Sequence, residues 1–514
     1  MRFAKLVEVS QQMAATAGRR AKIDALATLL RLLAPDEVEI AADYLTGQLR
    51  QGKIGLGWAA VRQAREGAEP AQATTLELLD VDRSFTAMAA GAGAGSAAER
   101  RRLLGALLAR ATAPEADFLA RLILGELRQG ALEGIMVEAV ASAAGLAPAL
   151  VRRAVMLAGE LPAVARAALL EGASGLDRFH LKILHPVQPM LADPAEDLAG
   201  ALASLDGAAL EWKLDGARVQ VHKAGDEVRV YSRSLNDVTA SVPEIVEATR
   251  ALPARELILD GEVIALAAGG APEPFQRTMK RFGRTLDVAA LRVTLPLSAF
   301  FFDVLRRDGD DLLDRPARER AAALRDALPD ELRVPRLEAP SLVEAEAFFA
   351  DALARGHEGV MAKSLTAPYE AGRRGGAWLK VKRVHTLDLV VLAAEWGSGR
   401  RRGLLSNLHL GARDAAGGGF VMLGKTFKGL TDEVLAWQTK RLLELEIGRD
   451  GQTVHVRPEL VVEIAFDGLQ TSPQYSGGIA LRFARVKRYR PDKSVAGAAT
   501  LEELLALHQR TGGP

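Results

Sequence analysis

A lysine side chain can attack phosphorus or a carbonyl carbon once it is uncharged, and Lys213 is placed among residues that could make it so. It lies in Glu211-Trp212-Lys213-Leu214-Asp215-Gly216-Ala217-Arg218, with Asp-Gly beginning two residues on and an arginine at the fifth. Neighbouring cations and partial desolvation lower a lysine's pKa and supply the neutral amine. Alone the string is weak, because Lys-x-Asp-Gly arises by accident in roughly one chain in ten of this length. A surface hairpin that turns at Asp-Gly and leaves its lysine in water reads the same residues.

Further groups follow in order: Ser232-Arg233-Ser234, Asp260-Gly261-Glu262, Phe302-Asp303, Glu358-Gly359-Val360-Met361-Ala362-Lys363 and Trp378-Leu379-Lys380-Val381-Lys382. Each is common by itself, as a strand-end turn or one solvated strand face. Together they offer what nucleotidyl transfer to a lysine needs. Arg218, Arg233, Lys363, Lys380 and Lys382 could neutralise a triphosphate, Glu262 and Glu358 could hold a divalent metal, and Phe302 could stack on a base. Lys380 and Lys382 alternate on one strand, so both amines face one side.

The elements that must position these residues fall into blocks. Residues 1 to about 172 are rich in Ala, Leu, Glu and Arg at helical spacing and predict an all-helical domain. Pro35-Asp36-Glu37 and Pro114-Glu115 mark helix starts, with acidic residues where the helix dipole favours them. Gly47-Gln48-Leu49-Arg50-Gln51-Gly52 recurs as Gly125-Glu126-Leu127-Arg128-Gln129-Gly130. A glycine closing one helix just before the next exposes N–H groups that, with a nearby arginine, can hold a phosphate; a helical repeat with plain C-cap glycines is the alternative.

Gly172-Ala173-Ser174-Gly175 and His185-Pro186-Val187-Gln188-Pro189 break the helical pattern and mark a linker into a second domain. From 209 to 305 strand patterns dominate. Residues 218–221 pair with 228–231, Leu257-Ile258-Leu259 and Phe300-Phe301-Phe302 are buried strands, and helices are expected at 243–251, 315–327 and 341–355, an α+β arrangement. After about 385 come five short strands, at 387–393, 405–410, 420–423, 460–466 and 481–486, with a helix at 431–445 between the third and fourth. That is the order of a five-stranded OB barrel. A terminal helix is expected over 494–507.

Composition bounds the function. The 514 residues imply several domains, 49% hydrophobic and 25% charged residues are ordinary for a soluble protein, and no apolar run is long enough for a bilayer. The start, Met1-Arg2-Phe3-Ala4-Lys5, has no secretory pattern, so export is not expected. With no cysteine, disulfides, thiolate catalysis and cysteine-ligated zinc are excluded. The net charge of +1 hides local basic runs: Arg400-Arg401-Arg402, and residues 482–493 with six basic residues against one acidic. Such runs are often only solvated faces.

The order and spacing of these motifs resemble the covalent nucleotidyltransferases, and among them the ATP-dependent DNA ligases, over nearly the whole chain. Arg482-Phe483-Ala484-Arg485-Val486-Lys487-Arg488-Tyr489-Arg490-Pro491-Asp492-Lys493 is similar to that family's last motif. The resemblance implies a helical DNA-binding domain at 1–172, an adenylation domain at 185–384, an OB domain at 385–495 and a tail helix at 496–514. It implies that Lys213 carries AMP, that Glu211 reads the adenine edge, and that Arg218 and Arg233 lie near ribose and phosphate. Glu262 would contact ribose or metal, Phe302 would stack on adenine, Glu358 would serve magnesium, and Arg374, Lys380 and Lys382 would contact phosphates. Arg482, Arg485 and Lys493 would reach ATP only on closure of the OB domain. Gly52, Lys53, Gly130, Arg400, Arg401 and Arg402 would lie on DNA.

Nicked duplex DNA is the implied partner, held by a monomer that encircles it, in the cytoplasm at a bacterial nucleoid, for repair, recombination or replication. NAD-dependent relatives carry a four-cysteine zinc site that this chain cannot build, so ATP is the expected cofactor. Residues 424–429, Gly-Lys-Thr-Phe-Lys-Gly, depart from the Gly-Thr-Gly-Phe common in the family, which bears on local DNA contacts. RNA ligation or GTP-dependent capping, and an idle DNA-end-binding scaffold, are the alternatives. Labelling with ATP against GTP, and AMP transfer against mere retention on DNA, separate them.

Overall fold

A computed structural model describes residues 1–514 except 17, 53, 92, 94, 128–132, 268, 285–286, 371–373, 399–400, 416 and 511–514; for 374, 375 and 510 it describes the backbone alone. The chain divides into two compact units, Met1–Leu191 with Glu370–Arg373, and 192–369 with 374–514. None of the described helices is long and apolar enough to cross a membrane.

The first unit is helical from Phe3–Ala15 to Leu161–Leu176. Two of its described helix starts carry a capping box; before Ala113–Ile123, the buried Glu115 carboxylate accepts from both N–H and Oγ1 of Thr112 at 2.8 Å. Large side chains knit the core, with Phe3 edge-on to Phe118 at 5.6 Å and Tyr44 edge-on to Phe85 at 5.9 Å. Gly47 closes the helix Val38–Thr46 at φ 81°, and Gly125 follows the helix Ala113–Ile123 at φ 68°. The two repeat copies adjoin, since a Cβ on Gly47 would sit 3.7 Å from that of Leu127. The break expected at 172–175 is instead a kink. Gly172 takes φ 66°, ψ −143°, and helical conformation resumes to Leu176 because Gly175, lacking a side chain, can approach the Ala167 carbonyl.

In the second unit, four strands run in the order Arg374–Lys382, Gly359–Ser364, Ala208–Lys213 and Arg336–Glu338, all antiparallel. Leu210, Val360, Ala362, Leu379 and Val381 alternate to one side and pack with Ala201 of the helix Leu198–Ala203 and with Ala345 and Ala352 of the helix Leu342–Ala354. Glu211, Lys213, Lys363, Trp378, Lys380 and Lys382 alternate to the other. A second antiparallel sheet runs Glu227–Ser232, Ala217–Ala224, Glu256–Ala265, Leu297–Arg307 and Asp310–Asp311. Val219, Val221, Leu257 and Leu259 pack there with Ile245 of the helix Pro243–Arg250 and Leu324 of the helix Ala317–Ala327. Helices at Leu198–Ala203, Phe275–Phe282 and Val288–Thr294 were not expected; each is eight residues or fewer, too short for a clear helical period.

From His385 onward the chain is strand-rich. His385–Trp396 pairs with Leu405–Arg413, Thr453–Val456 and Val461–Phe466, and Leu405–Arg413 pairs with Phe420–Thr426. The helix Asp432–Glu444 is capped by the Thr431 hydroxyl. Five strands are too few. Glu446–Asp450, Thr453–Val456 and Gly468–Thr471 are additional, and the fifth expected strand divides into Ile479–Arg482 and Arg485–Tyr489 at Phe483, whose φ of 54° cannot continue a strand. The terminal helix begins at Leu501, later than expected, because Val495–Gly497 forms a separate 3-10 turn; Leu504 is buried with the strand-rich core.

Candidate active site

Asp215-Gly216 joins strands of two different sheets, so the hairpin reading does not describe it. A Cβ on Gly216 would lie 2.3 Å from the Val263 carbonyl oxygen, and glycine is what lets the chain pass so close to the strand Glu256–Ala265. Lys213 ends its strand opposite Gly359, which in turn faces Lys382. Glu358 stands beside both amines: its Oε2 is 2.5 Å from Lys213 Nζ and 2.8 Å from Lys382 Nζ. The Glu358 N–H donates to the Lys213 carbonyl at 3.1 Å, which holds the main chain at Glu358 beside that of the lysine.

This geometry corrects the expected electrostatics. Burial pushes the Lys213 ammonium towards the neutral amine, but Glu358, with Glu262 and Asp215, outweighs it and holds the pKa above the ordinary lysine value. The cations beside it do not lower it, since Lys382 is paired with Glu358 and Asp467, Arg482 with Asp215 and Arg218 with Asp260. Burial would raise Glu358, yet Lys213 and Lys382 hold it below the usual carboxylate range. Glu262, in register with Arg218 on one side and Phe300 on the other, is pushed by burial up to about 7 against the pull of Lys213 and Arg218.

Farther along the same face, Lys363 Nζ lies 2.6 Å from Glu211 Oε2 and sits over the rings of Phe302 at 4.3 Å and Trp378 at 4.2 Å. Burial lowers the Lys363 pKa despite Glu211. The other Glu211 oxygen accepts from Arg336. Arg218 forms a two-toothed pair with Asp260, at 3.0 and 2.6 Å, and lies over Phe302 and Trp378; the Tyr369 hydroxyl donates to Asp260 at 2.7 Å. Beneath it the buried Arg320 clasps Asp303 at 2.8 and 3.1 Å.

The strand-rich domain reaches the same place. Arg482 Nη1 is 3.0 Å from Asp215 Oδ2, and Asp467 lies 3.3 Å from Lys382 and 3.6 Å from Arg485. Arg482 and Arg485 are thus gathered with Lys213. Lys493 is not: it pairs with Asp388, as does Arg490. Arg233 is exposed in the turn after Glu227–Ser232. Arg374 begins its strand, but its side chain, like residues Lys53, Gly130 and Arg400, lies outside the described residues. Gly52 is exposed at φ 66°, Arg401 donates to the Phe427 carbonyl at 2.6 Å, and Arg402 is exposed.

Sequence reasoning missed Arg336, Tyr369 and Asp467 as members of this constellation. Arg336 follows Val-Pro and Asp467 follows a buried strand, with no motif to mark either; only sheet pairing brings them near Lys213. Among the described residues no three carboxylates or imidazoles cluster as a ready-made metal cage. Glu262 and Glu358 still suit magnesium, which takes one or two carboxylate oxygens and completes its shell with substrate phosphates and water.

A buried lysine paired with a carboxylate and set among cations, with a helical unit before it in the chain and a strand-rich domain lending an arginine, is the arrangement expected of a ligase core of the covalent nucleotidyltransferase class. The chain belongs to the ATP-dependent DNA ligase family. The model for the "ATP dependent DNA ligase domain" matches residues 189–382, that for the "ATP dependent DNA ligase C terminal region" matches 401–493, and that for the "DNA ligase N terminus" matches 50–141. It is 66% identical over 511 residues to a "Probable DNA ligase" of Anaeromyxobacter sp. (strain Fw109-5), covering 99% of this chain and 98% of that one. It is 64% identical over 508 residues to a "Probable DNA ligase" of Sorangium cellulosum (strain So ce56), covering 99% and 95%. Among solved structures, "Pmar-Lig_Pre." shares the fold with a TM-score of 0.62 at 18% identity, over 95% of this chain and 99% of that one.

Proposed function

We propose that Lys213 is the residue through which this ligase takes AMP from ATP and that the product is a sealed nick in duplex DNA. The supporting observation is the register Lys213, Gly359, Lys382 with Glu358 touching both amines. In the first step the Lys213 nitrogen forms a bond to the α-phosphorus, the bond from that phosphorus to the bridging oxygen breaks, and pyrophosphate leaves with the electron pair. Lys213 surrenders two protons, one to become the amine and one as the N–P bond forms, and water or pyrophosphate takes them. AMP then passes to the 5′-phosphate of the nick, and the 3′-hydroxyl displaces it.

The chain's residues position and neutralise. Lys382, Arg482 and Arg485 are the cations that would neutralise the phosphates of a triphosphate attacked by Lys213, while Phe302, Trp378 and Lys363 would serve the base as two rings and a cation. Glu262 and Glu358 would hold magnesium, which when bound neutralises phosphate charge and the carboxylate field that keeps Lys213 protonated. The helical unit, with its paired glycine-closed helices, grips duplex backbone, and the monomer encircles the nick at the nucleoid in the cytoplasm. Repair, recombination and replication all present such nicks.

The test is incubation with α-phosphate-labelled ATP and magnesium, denaturing electrophoresis and a chase with nicked duplex. Wild-type protein takes up label that DNA removes as sealed product appears; GTP and NAD give none. Lys213→Ala and Lys213→Arg stay blank. Label on Lys213→Arg would overturn the assignment.

A further inference from the structure

The cations gathered near Lys213 have carboxylate partners, and one of those carboxylates belongs to no motif. Asp467 follows the strand Val461–Phe466, is largely buried, and has its N–H bonded to the Arg482 carbonyl at 3.0 Å. Its two oxygens divide between Lys382, 3.3 Å from Oδ2, and Arg485, 3.6 Å from Oδ1. Lys382 comes from the adenylation sheet and Arg485 from the strand-rich domain. A carboxylate holding one cation from each domain occupies the electrostatic place of a phosphate.

We propose that Asp467 is a resident competitor of phosphate: its carboxylate and the phosphates of the triphosphate share Lys382 and Arg485, so nucleotide binds by displacing it and pyrophosphate leaves as it returns. The inference rests on the reading of Lys382 and Arg485 as phosphate ligands. Glu358 and Asp215 cannot serve in this way. Glu358 is engaged with Lys213 itself, 2.5 Å away, and Asp215 lies on the turn that follows Lys213 in the chain. Asp467 alone of the three stands in the strand-rich domain. Its charge repels the phosphates that displace it, so it weakens the hold on ATP and, more usefully, on the pyrophosphate that could reverse the first step by attacking the phosphorus of the lysyl adenylate and expelling the lysine nitrogen. It is a positioning residue, acting through Lys382 and Arg485.

The experiment compares wild type, Asp467→Asn and Asp467→Glu in self-adenylylation with labelled ATP, and in the loss of label from adenylylated enzyme on adding pyrophosphate. Asparagine keeps the shape and removes the charge, and a melting curve of each variant establishes that it is folded. The expected result for Asp467→Asn is a KM for ATP lowered about fivefold, with the pyrophosphate concentration that strips half the label lowered about as far, and kcat raised little or not at all. Asp467→Glu keeps the charge and stays near wild type. A KM for Asp467→Asn that is unchanged or higher, with unchanged pyrophosphate sensitivity, overturns the proposal while leaving Lys213 as the nucleophile. Wild-type protein that never takes label overturns both readings together.

Discussion

Glu358 sits between two amines, and the glycine after it makes that possible. Gly359 lies at φ 144°, and a Cβ there would stand 2.2 Å from the Val381 carbonyl oxygen and 3.0 Å from a Phe349 ring carbon. Both backbone and ring would have to move, carrying Glu358 off Lys213. Gly359→Ala is expected to cost about 2–4 kcal/mol of stability and to slow self-adenylylation at least about a hundredfold. Urea unfolding and single-turnover labelling check this; a wild-type midpoint and rate would show that the strand has room. At this scale the motifs were legible: Lys213, Glu358 and Lys382 are all in the quoted strings. The direction of the Lys213 shift was not, because it depends on which charge lies closest in space, and that is a carboxylate 145 residues away in sequence number.

Elements with strong local codes were readable, and those without were not. Thr112 with Glu115, or Thr431 before the helix Asp432–Glu444, state a helix start in four residues. The strand Glu446–Asp450 is mostly exposed and has no alternating apolar pattern; pairing with Thr453–Val456 alone makes it a strand. The helix Val38–Thr46 carries a testable burden. Burial, reinforced by Glu160, Glu39 and Asp82 and only partly relieved by Arg50, pushes the Asp43 carboxyl up to about 7. A folded-state pKa above the unfolded value means that the native protein keeps a proton the unfolded chain has lost between about pH 4 and 7. Stability therefore falls as pH rises through that window. Asp43→Asn should raise the unfolding free energy of the helical unit by about 1–2 kcal/mol at pH 8, allowing for solvent screening, and change it little at pH 3.5. Denaturant melts at the two pH values read the difference; equal effects at both would contradict it.

For the molecule as a whole, the net charge of +1 conceals where positive charge is placed. If the helical unit and the strand-rich domain both grip backbone phosphates, affinity for nicked duplex falls at least about a hundredfold between about 50 and 200 mM salt and depends little on base sequence. Fluorescence anisotropy with two unrelated duplexes measures both; a flat salt response would exclude a phosphate-gripping clamp. Shortening the chain within 172–184 should impair sealing more than self-adenylylation, since only sealing needs the helical unit and the ligase core on one duplex. Equal loss in both assays would count against encirclement.

Lys213 with Asp215-Gly216, the ordered strings down to Lys493, the helical first block and the strand-rich last one were all determined by the sequence alone, since chemistry in a motif and periodicity in an element are local properties. That Asp215-Gly216 links two sheets, that Arg336 and Lys363 share Glu211, and that Asp467 stands between Lys382 and Arg485 were decided only by the tertiary structure. These are pairings of residues tens to more than a hundred positions apart. Strand register brings such residues together, and register is set by the burial of whole faces against their cores, which no short stretch of chain encodes by itself.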